Sequence, residues 1–237
     1  MRPRARATAC FARAPAGDVK LQLVTGNKNY SSWSMRPWVL LREAGIPFQE
    51  IELRFDDDAR IPGIERYSPS RQVPVLLVDG EPVWDSIAIL ETVAELFPEK
   101  PLWPREARAR RFARSICAEM HAGFRSLRGA MPMNIRASHP GKGMSPEVRK
   151  DIDRIAGIWQ DCRGRSSGEG PMLFGTFGVA DAMYAPVVGR FRTYRVPLPE
   201  SAQTYCDAIW AWPAVQEWIA AAKDEPRIPR YDAFLAA

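Results

Sequence analysis

Four hydroxyl side chains fall within five residues, Tyr30, Ser31, Ser32 and Ser34, immediately before Arg36 and Pro37. Serine hydroxyls donate hydrogen bonds, and the free N–H groups of a helix start favour negative charge, so this junction suits an anion such as a thiolate. A thiol with a pKa near 8.5 must fall by roughly two units to be mainly ionised near neutrality, about 2.7 kcal/mol. One hydroxyl bonded to an anion supplies about 1.5–3 kcal/mol and a helix N-terminus about 0.3–1. One serine and one helix therefore suffice, without a general base. The same serines also fit simple helix caps.

The elements that must position them follow from local pattern. Val19, Leu21 and Leu23 alternate with Lys20 and Gln22, the period of a half-buried strand, and Thr25-Gly26-Asn27 closes it. Val39, Leu40 and Leu41 open an apolar helical face that Gly45 and Pro47 end. Pro37 lacks an N–H, which places it in the first turn and the helix start at about Ser34. Phe48, Ile51 and Leu53 suggest a second strand, completing a right-handed β-α-β unit, with an irregular stretch from Asp56 to Pro69 beyond it. Residues 73–78 and 81–84 flank Asp79-Gly80, a strong hairpin signal, and a helix from Ser86 to Phe97 stops at Pro98.

After a proline-bearing connector at 99–104, strand signals end. Helical periodicity spans Arg105 to Arg128, with Phe112, Ile116, Met120 and Phe124 on one face. Further helices are expected from Ser145-Pro146 through Trp159, then over about 179–194, 201–212 and 214–223. The fold class is thus an α/β thioredoxin-like N-terminal domain (βαβ-ββα) followed by an all-α helical bundle. The expected organisation is an Arg-rich disordered tail at 1–17, domains at 18–98 and 105–225, and a C-terminal tail at 226–237.

Composition narrows the function. The net charge of +5 arises mainly in residues 1–17, which hold four arginines and no acid; the remainder has 29 basic against 28 acidic residues, so no phosphate-tracking surface and no nucleic-acid partner are expected. No window reaches the length of a membrane span. Cys10, Cys117, Cys162 and Cys206 are scattered without metal-ligand spacing, which suggests a reducing, cytoplasmic setting. With His121 and His139 as the only histidines, metal-free chemistry is expected.

Four motifs occur in order: Ser-Ser-x-Ser at 31–34, Gln72-Val73-Pro74, Asp85-Ser86 at a helix head, and Phe177-Gly178-Val179-Ala180-Asp181 at another. Together with the element order they resemble the cytosolic glutathione transferase family over about residues 19–225. Residues 31–36 are most similar to the Ser-Ser-Cys-Ser-x-Arg run of the zeta class, with Trp33 where zeta has cysteine, a variant shared with bacterial serine-type transferases.

The resemblance implies glutathione as co-substrate, a small hydrophobic electrophile, no metal, and a homodimer. Alignment with zeta makes Ser31 the activating hydroxyl with Ser32 as helper, whereas matching the theta class favours Ser34. It further implies a cis Val73-Pro74 bond whose backbone meets the cysteinyl unit, Gln72 reaching the glycine carboxylate or γ-glutamyl amide, and Asp85 and Ser86 taking the γ-glutamyl ammonium and α-carboxylate. Met120, Phe124 and the bend Met131-Pro132-Met133-Asn134 are candidate walls for the electrophile, and Arg190 and Arg192 either attract an anionic substrate or form a solvated face. Asp181 is expected to cap its helix rather than to catalyse. The leading expectation is sulfur transfer to an electrophile. Alternatives are a maleylacetoacetate-type isomerase, a peroxidase or thiol-disulfide reductase, and a non-catalytic binding module.

Overall fold

The computed structural model describes residues 19–165 and 169–233. The expected Arg-rich tail at 1–17 and the end of the chain at 234–237 lie outside the described residues.

Strand β1 (Leu21–Thr25) leads into helix α1 (Ser32–Glu43) and returns as β2 (Gln49–Glu52) parallel to β1, with Leu23 opposite Glu50. A 3-10 turn at Ile64–Arg66 interrupts the irregular stretch. Then β3 (Val75–Val78) and β4 (Glu81–Trp84) form the hairpin, and α2 (Ser86–Leu96) follows. Asp79 and Gly80 both have positive φ, +51° and +92°, as a two-residue turn matched to the strand twist requires. The sheet order is β2-β1-β3-β4, with β3 antiparallel to β1 and Leu76 facing Leu23. Every remaining element is helical: α3 (Ala107–Ala122), α4 (Arg125–Ala130), α5 (Pro146–Arg165), α6 (Val179–Tyr194), α7 (Glu200–Trp210), α8 (Pro213–Lys223) and α9 (Pro229–Ala233).

Helix α1 is the hinge of the architecture. It packs on α2 within the first unit and on α6 and α8 of the helical one, so Ser34 through Leu41 are all buried. Its partner α6 is buried along nearly its whole length, with Trp159, Tyr184 and Phe191 in edge contact at its centre. One apolar cluster therefore runs from Leu23 and Leu76 of the sheet through both helices to Trp218. Full burial of such side chains stabilises by about 1.5–3 kcal/mol each, and this shared core fixes the two units against each other.

Three expectations need correction. Helix α1 begins at Ser32 with Ser31 as N-cap, two residues earlier than the proline rule places it, so Pro37 lies in the second turn. Burial of α1 against two neighbours outweighs the backbone bond that Pro37 cannot donate to Trp33. The periodic run to Arg128 is broken at Gly123-Phe124, where Phe124 takes φ +54°; the side chain stays in the core while the chain turns into α4. The stretch read as a C-terminal tail contains α9, anchored because Tyr30 Oη donates to Asp232 at 3.0 Å and stacks on Tyr231 at 4.9 Å. Tyr30 also accepts from the Ile228 backbone at 3.2 Å, so its hydroxyl is spent on packing. The expectation for Asp181 holds: α6 opens on Gly178, which has no side chain to cap with. A Cβ there would meet the Leu102 carbonyl at 2.8 Å, and Asp181 supplies the cap alone by accepting from Gly178 N at 3.0 Å.

Candidate active site

The mouth of α1 holds the three serines in different hydrogen-bonding states. Ser31 caps the helix by accepting from Ser34 N at 3.4 Å, and its hydroxyl donates to Ser34 Oγ at 2.7 Å. Ser34 is fully buried and accepts from Gly26 N at 3.0 Å, tying the helix to the end of β1. Ser32 instead accepts from Arg190 Nη2 at 3.2 Å, a bond that crosses from α6. Ser31 and Ser32 are each only slightly exposed.

Beside this mouth lies an open cavity of about 470 Å³, and five of the expected site residues share its wall: Gln72, Val73, Pro74, Asp85 and Ser86. The Val73-Pro74 peptide is cis. Asp85 caps α2 by accepting from Ile87 N at 2.9 Å, with φ +73° and ψ +130°. That region is sparsely populated for a residue with a Cβ and costs about 1–3 kcal/mol, a strain characteristic of ligand sites. Ser86 is 2% exposed, and its Oγ has no hydrogen-bond partner among the described residues. A buried hydroxyl left unpaired costs about 1–3 kcal/mol, which a ligand acceptor in the cavity would recover. The N-terminus of α2 adds a favourable field for an anion there.

The helical unit closes the cavity with residues that pattern reading did not select. His121 of α3 reaches Asp85 at 2.7 Å, and Arg128 of α4 and Trp33 of α1 complete the wall with Ser70 and Trp84. Two guanidiniums lie over the Trp33 ring, Arg36 at 4.0 Å and Arg128 at 4.9 Å, with His121 in edge contact. The expected electrophile walls are elsewhere: Met120, Phe124, Met131, Met133 and Asn134 are buried in the core, away from the cavity wall. Helix α3 turns Met120 inward and the next residue, His121, toward the sheet unit. The lone histidine beside an apolar face was the available signal, and its partner on another element could not be read from spacing.

Arg190 is 5% exposed, so it is not part of a solvated face; Arg192 is exposed and pairs with Asp207 at 3.1 Å. Arg190 donates to the Met131 and Pro186 carbonyls at 3.0 and 3.2 Å, and burial, with Arg128 nearby, pulls its guanidinium down to about 10. Arg36 is buried too, held by the Met183 and Ser32 carbonyls, and burial followed by the repulsion of Arg190 and Arg128 sets it well below the usual arginine range. Among the described residues none of these three arginines is paired with a carboxylate. The mouth of α1 is consequently a cationic, desolvated place. Asp181, by contrast, sits far into the helical unit, accepting from Leu173 N, Gly178 N and Tyr205 Oη, each at 3.0 Å.

A four-stranded thioredoxin-like sheet whose first helix mouth faces a cleft closed by a helical unit defines the class of the glutathione transferase fold. Comparison with known proteins agrees: residues 30–96 match the model of the glutathione S-transferase N-terminal domain and 106–221 that of the C-terminal domain. The chain belongs to the glutathione S-transferase family. Among curated proteins it is 28% identical over 96 residues to a probable maleylacetoacetate isomerase of Caenorhabditis elegans, covering 40% of this chain and 44% of the relative. It is 25% identical over 111 residues to the maleylacetoacetate isomerase of Dictyostelium discoideum, covering 46% and 51%. The chain thus spans about half the length of the curated relatives it matches. Among solved structures, a glutathione transferase homolog from Burkholderia with bound glutathione superposes with TM-score 0.67 at 22% identity, over 87% of this chain and 100% of that one. A sphingomonad glutathione S-transferase complexed with glutathione gives 0.60 at 22%, over 86% and 100%. Among the described residues no helix is long and apolar enough to cross a membrane.

Proposed function

We propose that this chain is a glutathione S-transferase that binds glutathione in the cavity between Trp33, Val73 and Asp85 and transfers its sulfur to a small hydrophobic electrophile. Asp85 would take the γ-glutamyl ammonium, Ser86 with the α2 N-terminus the α-carboxylate, and Gln72 and Val73 the remaining peptide groups. The thiol would then lie at the mouth of α1, where the hydroxyls of Ser31 and Ser32 and the nearby arginines favour its anion. In the reaction the thiol proton leaves to solvent, the sulfur electron pair forms the C–S bond, and the electrophile releases its leaving group with the displaced pair. The observation that carries this reading is the Ser86 hydroxyl, buried on the cavity wall without a partner among the described residues, beside a strained Asp85. That two solved neighbours hold glutathione in the same fold supports it. We place the enzyme in the cytoplasm as a homodimer of units over 18–98 and 105–225.

The matches to maleylacetoacetate isomerases favour one second reading, glutathione-dependent cis-trans isomerisation. One experiment separates the possibilities. The protein is passed over immobilised glutathione, then assayed with a chloronitrobenzene-type electrophile and with a cis-enone acid. Retention with thioether formation supports the transferase, and retention with isomerisation alone supports the second reading. A chain that is not retained and shows no calorimetric binding of glutathione refutes both.

A further inference from the structure

Two buried groups meet at the α1 mouth: the Arg190 guanidinium, which spends its third nitrogen on Ser32, and a Ser32 hydroxyl whose own proton has no acceptor among the described residues. We infer that Arg190 is a positioning residue for thiolate formation, binding the Ser32 oxygen so that the Ser32 proton is reserved for the sulfur. This assignment rests on glutathione being the ligand of the adjacent cavity.

Hydrogen bonding separates Ser31 from Ser32. Ser31 is closed on itself, since its proton goes to Ser34 Oγ at 2.7 Å and its oxygen caps the helix. Giving that proton to a ligand would break a bond inside the helix start. Ser32 has no such commitment: its oxygen accepts from Arg190 at 3.2 Å, which leaves its one proton uncommitted and turned away from the guanidinium donor. Arg190 cannot swing away, because its other nitrogens are fixed by the Met131 and Pro186 carbonyls. A donor held on the oxygen polarises the O–H and strengthens the bond that it gives in turn. The ordering also crosses the interface, so the helical unit sets the chemistry of a residue in the sheet unit.

The surroundings lack the anion that buried cations ordinarily have. Among the described residues, the charged and titratable groups around this mouth are Arg36 on α1, Arg128 on α4, Arg190 and Tyr194 on α6, His121 and the buried Cys117 on α3, and Asp85 before α2. Asp85 is the one carboxylate, and it is bound by His121 at 2.7 Å. A thiolate at Ser32 would be the missing partner, and burial makes the cationic field effective at short range.

The test follows the ultraviolet absorbance of bound glutathione thiolate against pH in the parent, S31A, S32A, R190K and S32A/R190K proteins, with melting and calorimetric glutathione binding as controls. The expected result is that S32A and R190K each raise the midpoint of the bound thiol by about one pH unit, a tenfold loss of acidity, while S31A moves it less. Because Arg190 acts through Ser32, adding R190K to S32A should change nothing further, a coupling that general weakening of the interface would not give. The assignment is overturned if S32A leaves the midpoint in place, or if the two effects add in full. S32A removes one oxygen and folds independently of Arg190, so it decides even if R190K unfolds. A parent protein that binds no glutathione refutes the function and leaves no thiol to position.

Discussion

Removing the Ser86 hydroxyl should move stability and affinity in opposite directions. In the free protein Ser86 Oγ is buried and has no partner among the described residues. An unsatisfied buried hydroxyl costs about 1–3 kcal/mol, so Ser86→Ala should leave the fold unharmed or raise its stability by up to about that amount. For a protein of this length 1 kcal/mol corresponds to roughly 2–4 °C in Tm. The helix keeps its cap, because Asp85 and not Ser86 binds Ile87 N. With glutathione present the balance reverses. The α-carboxylate would lose a charge-assisted hydrogen bond worth about 1.5–3 kcal/mol, weakening Kd roughly 10- to 150-fold. Thermal melting without ligand and isothermal calorimetry with glutathione measure the two halves separately. A variant that melts several degrees lower yet binds glutathione as tightly as the parent would show that Ser86 is a structural residue, and would remove the ground on which the cavity is assigned.

Two further predictions concern carboxylates. Asp85→Asn keeps a side-chain oxygen for Ile87 N and tolerates the positive φ, so melting should change little while glutathione affinity falls about tenfold or more through loss of the charge facing the ammonium; unchanged calorimetric affinity would take Asp85 out of the site. Burial pushes Asp181 up to about 6 against the hydrogen bonds that it accepts, so the native state holds the proton more tightly than the unfolded chain. Its contribution to stability is then greatest below about pH 4 and falls as pH rises through 6, a difference of up to about 3 kcal/mol that Asp181→Asn should flatten in a profile of Tm against pH; parallel profiles for parent and variant would contradict the shift.

The sequence by itself determined the elements and their order, because each is written in local chemistry. Alternation at Leu21 and Leu23, positive-φ turn residues at Asp79-Gly80, a Ser145-Pro146 start and the Asp85-Ser86 helix head act within a few residues of themselves, where spacing carries the information. The motif of clustered serines was legible for the same reason, as was Asp181 reaching back to the start of its own helix. What failed involved competition between distant parts. Pro37 is accepted in the second turn of α1 because α6 and α8 bury that helix, and Phe124 bends the chain because its ring has a place in the core.

Only the tertiary structure decided which hydroxyl is free, what closes the cavity and where the charge lies. Ser31, Ser32 and Ser34 are equivalent by type and neighbourhood, and become different when Gly26 and Arg190 arrive from β1 and α6. His121 meets Asp85 across 36 residues of chain, and Arg190 meets Ser32 across 158. Hydrogen bonds of this kind depend on distances between side chains to within a few tenths of an ångström, and such distances are set by how two helices and a sheet share one core, for which no single segment holds a record.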